Sequence, residues 1–155
     1  MYPCTYTWKA PANVERGDIL ALQDAMFAHN GGADGLEDFP VSHHFAPNVY
    51  GREVFLPAGS TAVGKIHRHR HMNVVLQGRL KVVTEFGTSE AKAGDVIVSE
   101  PGVKRAVYAY EDSRWLTIHP NHDDTRDLAA LEAYVIAPDY EALGFDPQKR
   151  IEVSQ

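Results

Sequence analysis

His67, Arg68, His69, Arg70 and His71, flanked by Gly59 and Gly78, are the residues whose types and spacing could do chemistry. In an extended strand, positions of equal parity share a face, so the three imidazoles would point one way and the two guanidinium groups the other. Three imidazoles make a poor core and a good ligand set. Neutral imidazole binds zinc, iron, nickel and copper, and an open three-histidine site serves both zinc hydrolysis and non-haem iron oxygenation. A divalent metal is therefore the expected cofactor, with Fe, Zn, Ni, Cu and Mn not distinguished by residue type. The bland alternative is an exposed basic strand, which Arg68 and Arg70 would suit.

Composition limits what such a site can serve. The chain has 155 residues, 44% hydrophobic and 23% charged, the balance of a soluble globular protein with one core. A single domain over residues 1–155 is expected. The formal net charge of −6 opposes a polyanion, so no nucleic-acid partner is expected, although a local basic pocket could hold a small anion. Cys4 is the only cysteine, which excludes an intrachain disulfide and a Cys-rich zinc site and points to a reducing, cytoplasmic setting. No apolar run reaches the roughly 18 residues of a membrane span and residues 1–10 lack the plan of a signal peptide, so no membrane partner is expected.

The elements that must position the histidines read as helix, sheet, helix. Over residues 14–29, Ile19, Leu22 and Met26 recur at helical spacing, with Asp18 as a candidate N-cap and Asn30-Gly31-Gly32 as a stop. From about residue 42 to 119 the texture is short alternating runs, at 49–56, 61–66, 71–76, 79–85, 95–99, 104–110 and 114–119, separated by turn residues. These predict a small antiparallel sandwich or barrel. A second helix is expected over about 125–137, where Leu128, Leu131 and Val135 share a face, Asp124 can cap and Pro138 ends the run; the tail from Phe145 is polar. Met72, Val74 and Leu76 alternate with His71, Asn73 and Val75, so both faces of that strand carry apolar side chains and one needs cover.

The sheet region resembles the cupin superfamily. The first cupin motif is a glycine, five residues, His-x-His, three or four residues, Glu, six residues and a glycine. Here Gly59 is followed by five residues, Lys65-Ile66-His67, three residues, His71, six residues and Gly78. The second motif is a glycine, five residues, Pro-x-Gly, two residues and His. Here Gly94 is followed by Asp95 to Ser99, then Glu100-Pro101-Gly102, Val103-Lys104 and Arg105. The resemblance implies an all-β, cupin-type (double-stranded β-helix) antiparallel barrel with flanking helices. Of its four ligand positions, His67 matches, His71 exchanges a carboxylate for imidazole, and Lys65 and Arg105 are cations. His119, or else His69, is expected to complete the set; His43 and His44 stand just before the sheet and could reach a pocket mouth. The pattern is also similar to small cupin-like proteins of tailed phages and prophages, over roughly residues 40–135.

Neither Lys65 nor Arg105 can act as a ligand while protonated, so both are expected to fix an anion beside the metal. The competing readings are an ion pair of Arg105 with Glu100, or with Glu53 as an interior carboxylate, and Lys65 in solvent. Tyr50, Arg52, Asn73 and Trp115 have parities suited to lining the interior, Asn73 sharing the face of His71; Asn73, Tyr50 and Arg52 are expected to bind the substrate anion with the two cations, and His122 is expected in solvent. The expected function is a metal-dependent enzyme, of oxygenase or lyase/isomerase type, acting on a small anionic molecule. The competing functions are a non-catalytic binding module and a phage-associated structural or interaction protein. A homodimer through the outer sheet is expected, in the cytoplasm, or the host cytoplasm for a phage gene.

Overall fold

A computed structural model describes residues 8–30 and 39–146. The order is α1 (Arg16–His29), β1 (Val41–Ala46), β2 (Val49–Leu56), β3 (Thr61–Val63), β4 (Ile66–His67), β5 (His71–Gln77), β6 (Arg79–Thr84), β7 (Gly87–Lys92), β8 (Val96–Ser99), β9 (Arg105–Ala109), β10 (Ser113–Pro120), α2 (Leu128–Val135), β11 (Ile136–Ala137) and α3 (Tyr140–Leu143). Two antiparallel sheets form the barrel, one in the order β1-β2-β10-β5-β8 and one in the order β3-β9-β6-β7, while β4 pairs with β11. This is an all-β antiparallel barrel with flanking helices, as the strand pattern predicts.

Alternation divides the apolar residues between two cores. Leu56, Val75, Leu80, Val82 and Trp115 pack inside the barrel. On the outer face of the four-stranded sheet, Val63, Val83 and Ala106 pack against Ile19, Leu22 and Met26 of α1. Tight turns set the registers. Gly78, at φ 82°, joins β5 to β6, and a Cβ there would fall within 2.5 Å of Asp112 O and 2.9 Å of Ser113 Cα, so only glycine fits.

Several expectations are corrected. Asp18 is not the N-cap of α1; Glu15 is, and Asp18 Oδ2 accepts from the Glu15 N–H at 2.8 Å. Asp127 rather than Asp124 caps α2, accepting from the N–H groups of Ala129 and Ala130 at 3.0 and 3.2 Å, while Asp124 takes φ 48° in the preceding turn. The run 61–66 is two strands broken at Gly64-Lys65, and β1, β7, β11 and α3 were not anticipated as elements. The polar segment of β7 pairs as the edge of its sheet, which explains the absence of a hydrophobic pattern. Cys4, Gly31, Gly32 and the tail beyond Asp146 lie outside the described residues.

Candidate functional site

The inner face of the five-stranded sheet has graded polarity. In one row of paired residues, Val41, Val54, Trp115 and Val75 lie side by side. The next row is His43, Arg52, Thr117, Asn73 and Ile97. The following row pairs Tyr50 with His119 and His71 with Ser99. An apolar floor thus gives way to a polar belt and then to histidines, within a cavity of about 520 Å³.

His67, His71 and His119 come together in this cavity from β4, β5 and β10. Their ring centroids are 4.2 Å apart for 67–71, 5.2 Å for 67–119 and 5.2 Å for 71–119. Imidazoles sharing one ion at ordinary bond lengths would have centroids about 4.5–5.2 Å apart, so the two spacings to His119 suit a common ion, while His67 and His71 stand closer than that. Orientation is a separate matter: rings 67 and 119 lie face to face at 15°, which directs their lone pairs past one another. Among the described residues no group of three or more His, Cys, Asp or Glu side chains has the arrangement of a formed metal site.

The protonation states suit a ligand role. Burial, reinforced by His71, His119 and Arg105, pushes His67 down to about 2. Burial, with His71, His69 and Arg52, pushes His119 down to about 3. His71 is also lowered, mainly by burial. All three are neutral at pH 7. The His71 Nδ1–H donates to the backbone oxygen of His69 at 2.9 Å, which leaves the lone pair on Nε2; that atom is buried without a hydrogen-bond partner.

His69 does not join them. The residues between His67 and β5 form a bend rather than a continuous strand, so the parity argument fails at this point. His69 turns to Tyr134, at a ring distance of 4.7 Å, with Nε2 3.2 Å from Tyr134 O, and it contributes only its carbonyl to His71. Of the other histidines, His43 lines the cavity and its Nδ1 lies 2.8 Å from Tyr50 Oη. His44 faces outward onto Glu53 at 2.9 Å, and His122 stands edge-on to Tyr134.

Both predicted anion-binding cations line the cavity, in different states. Lys65 is at the rim, 43% exposed and ion-paired with Glu132 of α2. Arg105 extends inward, donates to Ser99 Oγ, and leaves its buried Nε without a partner; burial pushes it down to about 10. The suggested acid partners are elsewhere. Glu100 pairs with Arg70 at 2.9 Å, and Glu53, anticipated in the interior, lies on the outer face with Arg114 at 2.6 Å. Asn73 organises the belt, donating to Ser99 Oγ at 2.9 Å and accepting from Trp115 Nε1 at 3.1 Å and Thr117 Oγ1 at 3.0 Å. Tyr50 and Arg52 also line the cavity. Ser99, Val103 and Glu132 were not anticipated there. Ser99 was detectable, because it alternates with Ile97 on β8, but Glu132 comes from a helix that only tertiary packing brings to the rim.

No protein-family profile matches the chain, and no curated relative matches it. Solved structures similar in shape include a cupin-2 domain protein from Shewanella frigidimarina, 17% identical, covering 52% of this chain and 80% of that one, with a TM-score of 0.43. The KdgF protein of a Halomonas species is 22% identical, covering 56% of this chain and 83% of that one, with a TM-score of 0.47. The plu4264 protein of Photorhabdus luminescens is 18% identical, covering 61% of this chain and 86% of that one, with a TM-score of 0.49.

Proposed function

We propose that this protein is a metal-dependent cupin enzyme acting on a small anionic molecule, with His67, His71 and His119 holding one divalent ion. The observation that carries the reading is the meeting of three neutral imidazoles in one cavity, with the Nε2 lone pair of His71 buried and unused. Rotation of the rings about their side-chain torsions is needed to train the three nitrogens on one point. A bound divalent ion would supply Lewis-acid polarisation or, as iron, oxygen chemistry, which defines oxygenase and lyase/isomerase reactions as the classes to test.

The chain's own residues have separable roles. Arg105 neutralises negative charge on the substrate, and Ser99, Asn73 and Thr117 hold the belt beside it in a fixed hydrogen-bonded arrangement. Tyr50 Oη can give or take a proton, with the exposed His43 as its link to solvent. Val54, Val75 and Trp115 exclude water from the closed end.

The test is elemental analysis of protein purified without a nickel column, combined with thermal unfolding in the presence and absence of chelator. One equivalent of metal is expected. Binding to the folded chain alone stabilises it by about 2.7 kcal/mol at a hundredfold excess over Kd, so chelation should lower the Tm and the double variant His67→Ala, His71→Ala should lose that sensitivity. Metal-free protein that takes up no iron, zinc, nickel, copper or manganese would remove the reading.

A second reading, a non-catalytic binding module of phage-associated type, is favoured by the lack of a free carboxylate base among the described residues: Glu132 lines the cavity but is engaged by Lys65. Stoichiometric metal separates the two. A homodimer would use the outer face of β5 and the edge strand β8, where Met72, Leu76, Val96 and Val98 are 47%, 39%, 60% and 51% exposed. A monomeric mass by sedimentation at micromolar concentration would remove that part.

A further inference from the structure

We propose that the cavity is built for a dianion held at two separated points, one anionic group at Arg52 and the other at Arg105, with the histidine cluster between them. This rests on the reading of the cavity as an anion site and adds the charge and shape of the ligand. Arg52 lies on β2 of the five-stranded sheet and Arg105 opens β9 of the four-stranded sheet, so the two side chains enter the cavity from opposite walls.

What distinguishes these two arginines is the missing acid. Arg16, Arg70, Arg79 and Arg114 each have a carboxylate within 4.0 Å. Arg68 donates to the carbonyls of Ile136 and Ala142, and Arg126 lies over the ring of Phe45. Among the described residues neither Arg52 nor Arg105 makes an ion pair, and the buried Nε of Arg105 has no acceptor. Among the described residues the one carboxylate lining the cavity, Glu132, is taken by Lys65. A buried guanidinium without an acid, as at Arg105, is strongly unfavourable, and a ligand with two anionic groups would answer it and engage the partly buried Arg52 as well. The Arg105 guanidinium reaches across to Ser99 on β8, whereas Arg52 stands on β2, three strands away in the order β2-β10-β5-β8; with neighbouring strands about 4.8 Å apart, carboxylates separated by a few carbon atoms would span from one guanidinium to the other. A short dicarboxylate, or a molecule with one carboxylate and one phosphate at similar separation, is the ligand class.

The experiment is calorimetric titration of the protein as purified with malonate, succinate and glutarate, each against acetate and butyrate as monoanions. At least one dicarboxylate should bind tenfold or more tighter than either monocarboxylate. Arg52→Gln and Arg105→Gln should each reduce that dicarboxylate to the monocarboxylate level, with unfolding curves confirming that both are folded. Should either fail to fold, Arg52→Lys and Arg105→Lys keep the charge but lose the bidentate fork, and each should still lower the preference several-fold. The preference should persist in the double variant His67→Ala, His71→Ala, because the arginines read the charge separation. Its loss there would overturn the proposal in favour of chelation by metal. Equal affinity for mono- and dicarboxylates would overturn the two-point site and leave a single-anion pocket standing, whereas failure of folded protein to bind any of the five anions would overturn the anion reading as well.

Discussion

Lys104 and Arg105 are neighbours in the chain and opposites in environment. Lys104 turns outward beneath α1, where its Nζ donates to Gly64 O at 2.9 Å. Around it Arg16 pairs with Glu85 at 3.2 Å and lies 3.9 Å over the ring of Tyr140, whose hydroxyl donates to Gly102 O at 2.9 Å. Arg105 turns into the cavity, where it finds a serine hydroxyl and no acid. Both clusters are buried and polar. Arg16 Nε and Glu85 Oε2 also lack hydrogen bonds, but their charges offset one another across the ion pair. In the cavity no described carboxylate offsets Arg105, and the His71 lone pair has no donor. A buried polar cluster that satisfies itself holds the helices to the barrel; one that does not is open to a ligand.

The comparison breaks most sharply at Glu85, whose side chain is 1% exposed. Glu85→Ala would leave Lys104 buried without a carboxylate and Arg16 with only the partly exposed Asp146 at 3.4 Å, and should destabilise the protein by about 3 kcal/mol, while metal content and dicarboxylate affinity in the folded fraction stay unchanged. Urea unfolding measures the first and elemental analysis the second. A loss below about 1 kcal/mol would mean that the outer cluster does not hold the fold.

Acid should act next, through the cavity. In metal-free protein, His119 is held at about 3 and His71 is lowered, against about 6.5 in the unfolded chain. The unfolded state therefore binds more protons below pH 6.5, so their contribution to stability is complete above that value and lost as pH falls. For His119 the loss should be roughly 1 kcal/mol between pH 7 and 5.5, His71 adds to it in the same direction, and bound metal should suppress it. Unfolding free energies equal at pH 7 and 5.5 in metal-free protein would contradict the buried, neutral placement.

A smaller change is expected at His71. In metal-free protein His71→Leu removes the buried Nε2 that has no partner and also the Nδ1–H bond to His69 O, so the two effects offset and stability should change by no more than about 1 kcal/mol, even as metal binding disappears. A loss of more than about 2 kcal/mol would place His71 in the self-satisfied class. An effect no larger is expected at Tyr140→Phe, which removes one hydrogen bond to Gly102 and should cost about 1 kcal/mol. A larger loss would give that single contact the weight assigned here to the ion pair.

Much of the barrel was legible in the sequence because a strand is a local object. Period two placed Tyr50, Arg52, Asn73, His71 and His119 toward one interior, and the spacing from Gly59 to Gly78 marked where turns must fall, with Gly78 confined to glycine by Asp112 and Ser113. Parity failed where the strand itself failed. It assigned His69 to the face of His67 and His71, but the segment bends between β4 and β5, and β4 pairs with β11 from beyond α2, a partner that local pattern does not reveal. Period two would also put Glu53 on the opposite face from Arg52, and the structure confirms that against the expectation of an interior acid.

What the sequence by itself determined is the repertoire: a β-rich domain, histidines and cations at strand spacing, and one cysteine too few for a disulfide. Only the tertiary structure decided which of these groups found partners. Lys65 met Glu132 from a distant helix, Lys104 met a carbonyl and the field of Glu85, and His43 met Tyr50, whereas Arg52 and Arg105 met no carboxylate among the described residues. The reason is physical: side-chain direction follows from a period of two residues, but compensation of a charge depends on atoms within about 4 Å, and those are supplied by elements far apart in the chain.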